Sequence, residues 1–256
     1  MPALGLALHF IRREIKNRYL GSFSGGLWAL LQPLIQLAVY SFVFVRIFKA
    51  PLPEGSTVGY VPFLFMGLWP WNAFAESLSR SCTSIQDNAA LIGKVAMPRE
   101  VLVLSTVAAT FLVQLTGFVA VCVALRIAGV PVSLSLLPFA ILEFVQLFVF
   151  ALGLAFLLSA LQVFVRDFAS ALPQLLILWM FASPIFYSRE ALPERYRPLL
   201  DWNPITHYTE AFRAILLGSG SMSLMESCLS VVVALIAFAL GMTIFRRLKP
   251  HFEDFL

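Results

Sequence analysis

Three histidines, three cysteines and fourteen carboxylates set the chemical reach of this 256-residue chain, and their spacing offers little to an enzyme. His9, His207 and His251 lie far apart in sequence. Cys82, Cys122 and Cys228 show neither CxxC spacing nor nearby histidines, so they read as small apolar fillers and not as metal ligands. No HExxH or GxSxG pattern is present. The stretch "IGKV" at 92–95 lacks both the upstream glycine and the hydroxyl that a phosphate-binding loop requires, so the chain cannot hydrolyse ATP in that way. No cofactor is expected on it.

Four ionisable residues stand within or close to long apolar runs, where charge is costly and therefore a functional candidate by default: Arg46, Glu76, Arg80 and Glu143. Glu76 and Arg80 are one helical turn apart and are expected to pair with each other. Glu143 lies within a turn of Gln146 and is a candidate for a water-filled interior. No series of acidic or histidine residues accompanies it, which weakens a proton-coupled transporter. His207 is expected in a surface polar cluster with Asp201 and Glu210.

The elements that position these residues belong to a membrane. The chain is 60% hydrophobic and 12% charged, with a mean hydropathy of +0.87, whereas soluble domains carry roughly 25% charged residues. Apolar runs long enough for a hydrocarbon core of roughly 30 Å recur at 27–48, 61–80, 101–125, 136–161, 171–187 and 228–245. They lack the alternation of barrel strands. The fold class is therefore all-α and polytopic, with six transmembrane helices in a single domain. The first run is too long for a cleavable signal core and is expected to stay as an anchor. Six spans place residues near 12–18, 81–100, 162–170 and the C-terminal segment on one side, which is richer in Lys and Arg and so expected to be cytoplasmic. The opposite side carries Arg189, Arg195, Arg197 and Arg213 interleaved with Glu190, Glu194, Asp201 and Glu210. The net charge of +4 reflects anchoring at anionic lipid headgroups, and nucleic acid is not an expected partner.

Between the spans, residues 1–22 place Leu4, Leu8, Ile11 and Ile15 on one face and Arg12, Arg13 and Lys16, with Arg18 nearby, largely away from it, a pattern for a helix lying in the membrane interface. Gly21 and Gly25 stand in GxxxG spacing outside the apolar core. Residues 84–98 form a compact helix that Asp87 or Asn88 can cap and that Pro98 ends. Two turns are marginal alone in water. The apolar Leu91, Ile92, Val95 and Met97 therefore want a partner surface. Arg166 and Asp167 mark a second connection on the same side; as sequence neighbours they either bond separate partners or stand in a solvated turn. Residues 188–220, too long for a structureless loop, are expected to be re-entrant or interfacial. The tryptophans near span ends are partly an interfacial belt, and some aromatics are candidates to present flat faces to a sugar chain.

The order of these parts resembles the membrane subunit of type-2 ABC exporters for bacterial surface polysaccharides, the family of O-antigen, capsule and teichoic acid exporter permeases. The matching stretches are "RREIKNRYLGSFSGGLWALLQPL" at 12–34, "LIGKVAMPRE" at 91–100, "VFVRDF" at 163–168, "SPIFY" at 183–187, "NPIT" at 203–206 and the tail "RRLKPHFEDFL" at 246–256. Met97 stands where the family usually has phenylalanine. The resemblance implies a coupling helix that docks on a separate ATPase through Leu91, Ile92, Lys94, Val95, Met97 and Arg99, with Arg166 and Asp167 at a second contact. It also implies a homodimer with two ATPase subunits, which hold the ATP and Mg. The cargo would be a lipid-linked polysaccharide crossing the bacterial inner membrane, both termini of the chain being cytoplasmic. Tyr40, Trp69, Trp71, Glu143 and Tyr187 are the candidates to line its path. The alternatives are a permease of this architecture for another lipid or a drug, and a proton-coupled secondary transporter.

Overall fold

The computed structural model describes residues 3–19, 27–49, 59–92, 97–219 and 224–255. Every regular element among them is helical. In chain order they are α1 (Ala3–Tyr19), α2 (Leu27–Phe42, continued by a π turn Val43–Ile47), α3 (Tyr60–Cys82), α4 (Ala89–Ile92), α5 (Glu100–Ile127), α6 (Leu137–Phe164), α7 (Phe168–Ala182), α8 (Arg197–Asp201), α9 (Pro204–Leu217) and α10 (Leu224–Leu248). Short 3₁₀ stretches at Gln86–Asn88, Leu134–Leu136, Arg189–Ala191, Glu194–Tyr196 and Lys249–Asp254 join or extend them.

Among the described residues, three stretches suffice by length and apolar composition to cross a membrane: Glu100–Ile127, Leu134–Phe164 and Met225–Phe252. Two shorter apolar helices accompany them, Leu31–Ile47 and Phe168–Ala182. α3 is long enough but carries Asn72, Glu76 and Arg80, and it lies at the centre, touching α2, α5, α6, α7 and α9. A helix surrounded by protein is free to carry polar groups that lipid would reject. α1 lies along α5, and α10 lies along α6.

The α6–α10 seam depends on two glycines. A Cβ at Gly153 would sit 2.5 Å from the backbone of Ala237 and Phe238, and one at Gly241 would collide with the backbone of Gly153. Without side chains there, the two backbones approach closely, as small residues allow between membrane helices. Phe156, packed against Phe238 and Phe245, fills the space beside them.

α1 corrects the sequence expectation. Its buried stripe is Ala7 and Phe10, continued by the half-buried Glu14 and Arg18, because the helix packs on its own bundle. Leu8 is half exposed, and the half-buried Ile11 and Ile15 flank the stripe. Arg12 and Lys16 are exposed, while Arg13 folds over the Phe10 ring at 4.4 Å. Gly21 and Gly25 lie outside the described residues.

Replacing Gly153 with Val forces two backbones apart, which should cost about 3 kcal/mol or more. The expected result is loss of the monodisperse peak in detergent size-exclusion chromatography of the purified chain, with Gly5→Ala, which meets no atom within 4 Å, as the neutral control.

Candidate functional site

One end of the bundle gathers most of the basic residues and both connections singled out by the sequence. Arg13 donates to Asn88 Oδ1 at 2.7 Å, tying α1 to the turn that follows α3. Asn88 in turn donates to the Ser84 carbonyl, and Asp87 accepts from Thr83 Oγ1 at 2.8 Å. These side chains tie the turn to its neighbours, in place of the capping role expected for either of them. Between α1, the end of α3 and the start of α5 lies a polar cleft of about 490 Å³, lined in part by Arg13, Glu14, Asn17, Arg80 and Asp87.

The expected Glu76–Arg80 pair is replaced by two bonds to α1. Glu76 takes an ion pair from Arg18 and a hydrogen bond from Gln114 Nε2 at 2.8 Å, and Arg80 approaches Glu14 at 3.9 Å. A neighbouring helix supplies better-placed partners than the next turn does.

Leu91 and Ile92 are half-buried on the edge of the hydrophobic core, and so is Met97. Lys94 and Val95 lie outside the described residues. Arg99 donates to the Lys249 carbonyl at 2.6 Å, and the Lys249 ammonium pairs with Glu100 at 2.9 Å, so the tail is fastened to the start of α5. Arg166 and Asp167 are both exposed. Gln86 and Gln162, which the sequence did not single out, exchange side-chain bonds between the two connections.

At the opposite end, Tyr40 and Tyr187 come close to one another through Phe186. Tyr40 meets the Phe186 ring edge-on at 5.1 Å, and Phe44 and Phe181 stack on the same ring at 5.0 and 5.2 Å. The turn that carries Phe186 and Tyr187 is clamped by Arg213. Its guanidinium, 4% exposed, donates to the carbonyls of Phe63, Pro184 and Ile185 at 3.2, 2.7 and 2.8 Å and lies 3.5 Å over the Phe63 ring. Gly67 leaves room for it, since a Cβ there would stand 2.9 Å from Nη2. Tyr60 donates to the Phe186 carbonyl at 2.8 Å. The sequence placed Arg213 in the outer charge cluster; the structure buries it, because three carbonyls from two separate parts of the chain converge on one fork.

Trp69, Trp71 and Glu143 are buried among the helices. Trp69 donates to the Gln114 carbonyl at 2.9 Å, and Trp71 packs on Trp179. Glu143 faces His207 Nε2 at 3.6 Å, so His207 sits between α6 and α9 and not with Asp201, which pairs with Arg189 at 2.5 Å. Trp28 and Trp202 are exposed. Among the described residues no three His, Cys, Asp or Glu side chains come together as a metal site.

A central helix that carries polar groups in its second half and leads straight into a fastened turn suits a transport subunit, and the family pattern of the ABC-2 type transporter matches residues 6–217. The chain belongs to that family. The permease is 28% identical to the O-antigen export system permease protein RfbA of Klebsiella pneumoniae, over 95% of its own length and 92% of the relative's. It is 31% identical to the protein of the same name from Myxococcus xanthus, over 82% and 80% of the two chains. It is also 27% identical to the polysialic acid transport protein KpsM of Escherichia coli, over 91% and 90%. As a member of the membrane-subunit family, the permease is a transport chain and not a catalyst.

Arg213→Lys keeps the charge but loses the fork and leaves carbonyls unpaired, at a cost of about 2 kcal/mol. For a chain of this size that corresponds to a fall of roughly 6 °C in the thermal unfolding midpoint of the detergent-purified permease.

Proposed function

We propose that this chain is the permease of an ATP-driven exporter that moves a lipid-linked polysaccharide, of O-antigen or capsule type, across the bacterial inner membrane. The three relatives above, named for O-antigen export and polysialic acid transport, support this cargo. A further relative, named as a capsule polysaccharide export inner-membrane protein of Neisseria meningitidis and 24% identical over 95% of this chain, supports the location. The six spans are α2 with its π turn, α3, α5, α6, α7 and α10. The described part of the outer segment, residues 188–219, re-enters the membrane from the outer side, and both termini face the cytoplasm with the basic end.

The observation that carries the coupling role is the position of α3. It touches five other helices and runs without interruption into the turn at 83–92. A push on that turn reaches the core directly. Leu91, Ile92, Lys94, Val95, Met97 and Arg99 form the joint with the ATPase, and Arg166 and Asp167 form the second contact. Two copies of the chain and two ATPase subunits make the transporter, with the glycan passing between the copies. Tyr40 and Tyr187, half-exposed at the Phe186 cluster, line the outer part of that path by stacking on sugars, while Trp69, Trp71 and Glu143 set the helices behind them.

The test is co-purification of the chain with its cognate ATPase subunit. Leu91→Asp with Val95→Asp should lower complex formation about tenfold or more, as loss of interface anchors does. The variant permease purified alone should remain monodisperse. A permease that purifies without an ATPase and moves cargo on a proton gradient would overturn the reading.

A further inference from the structure

Gln162 is in the last turn of α6 and is 2% exposed, yet its carboxamide is fully used. Oε1 accepts from the Ala169 amide at 2.7 Å and from Cys82 Sγ at 3.8 Å. Nε2 donates to the Arg166 carbonyl at 3.0 Å and to Gln86 Oε1 at 3.2 Å. Two acceptor sites and two donors are all that an amide side chain has. Gln86 returns the contact, donating from Nε2 to the Gln162 carbonyl at 3.1 Å.

These bonds span separate pieces of chain. Arg166 belongs to the bend between α6 and α7, which presents Arg166 and Asp167, and Ala169 to the first turn of α7 that follows it. Cys82 ends α3, and Gln86 lies in the turn leading to Leu91 and Ile92. One buried side chain therefore holds both connections of the basic end. We propose that Gln162, with Gln86, is a positioning pair that makes the two ATPase-facing connections move as one rigid body during the ATP cycle. The proposal rests on the coupling role argued above and adds to it a mechanical link.

The geometry excludes a purely local role for the pair. Gln162 alone suffices to close the α6–α7 bend, through Arg166 and Ala169. The reciprocal bond with Gln86 adds nothing to that bend and fastens it to a second element 76 positions away in sequence. Buried polar links of this kind rigidify, because leaving either partner unpaired in a low-dielectric interior is costly.

The experiment uses the full transporter, permease with its ATPase subunits, in lipid nanodiscs. Spin labels are placed at Ala90→Cys and Ser170→Cys, both exposed positions beside the two connections, in complexes assembled so that only one of the two permease copies is labelled, with the exposed Cys228 replaced by Ser. The expected result with Gln86 intact is one narrow distance, the same without nucleotide and with ATP trapped by vanadate. In Gln86→Ala the distribution should widen or shift in the trapped state. ATP turnover by the purified complex should stay within about twofold, while surface glycan displayed by the complemented native host falls about tenfold, a typical size for one coupling link.

Gln86 is only half-buried, so the substitution leaves no large cavity, and Gln162→Glu, which removes both donors, should give the same split between turnover and display. A distance that changes between nucleotide states with Gln86 intact would overturn the proposal. So would a Gln86→Ala complex with unaltered distances and display, and in either case the transporter reading would stand, since ATP turnover continues. A permease that neither binds the ATPase nor alters its turnover would overturn that reading and the link with it.

Discussion

The polar groups on α3 must find partners inside the protein, because lipid chains offer no hydrogen bond and an unpaired buried group costs several kcal/mol. The solution is distributive. Asn72 donates to Gln36 on α2, Trp69 to the Gln114 carbonyl on α5, and Cys82 to Gln162 on α6. Glu76 receives Arg18 and Gln114, Arg80 approaches Glu14, and the Phe63 carbonyl receives Arg213 from α9. Each bond is worth only about 1 kcal/mol net, but each specifies which neighbour lies where. A core held by apolar contact alone would allow α3 to slide or turn; these bonds fix its register against its neighbours.

That register matters because the two ends of the bundle do different work. At the basic end the turn after α3, the α6–α7 bend, α1 and the tail are joined by side chains that are individually modest and mutually connected. At the opposite end Arg213 and Tyr60 hold the 184–187 turn against α3. α3 is the shared member of both assemblies. In the proposed transporter a displacement imposed at the basic end therefore arrives at the Phe186 cluster as a movement of one body, with no separate relay needed between them. Packed interiors have two discrete arrangements more readily than a continuum, so such a movement is switch-like.

How much of this is legible in the sequence follows from the range of the interactions involved. The helices and their breaks are written locally, as apolar runs of sufficient length and as punctuating Pro and Gly; Gly218, for example, ends α9 in the left-handed conformation. The capping of α9 by Asn203, which accepts from the Ile205 amide, is local too. The inner face of α1 is not legible, because Leu8, Ile11 and Ile15 make the stronger local pattern, and only packing on α5 turns the face of Ala7, Phe10, Glu14 and Arg18 inward. Arg213 follows Glu210 by one helical turn in a segment with several other charges, and looks like surface charge. Nothing local announces three carbonyls from residues 63, 184 and 185. His207 and Gln162 are the same case: their decisive partners, Glu143 and Gln86, are more than sixty positions distant.

The filling of the interior bears on where a glycan can pass. Between α3, α5, α6 and α9 the space is taken by rings in contact, Phe65 on Phe118, Phe118 on Phe144 and Phe212, and Phe74 on Phe150. Opening a hydrated route through that stack would separate well-packed aromatic surfaces, each pair worth about 1 kcal/mol beyond its buried area. The outward faces of α2 and α7 are different: Ile35, Val39, Phe42, Leu175, Leu178 and Phe181 are exposed, and the half-exposed Tyr40 lies among them. Two copies meeting along those faces would part at an interface without dismantling either core. In the proposed homodimer that makes the surface of α2 and α7 the low-cost place for a path, and it leaves the ring stack free to stay rigid while the path opens.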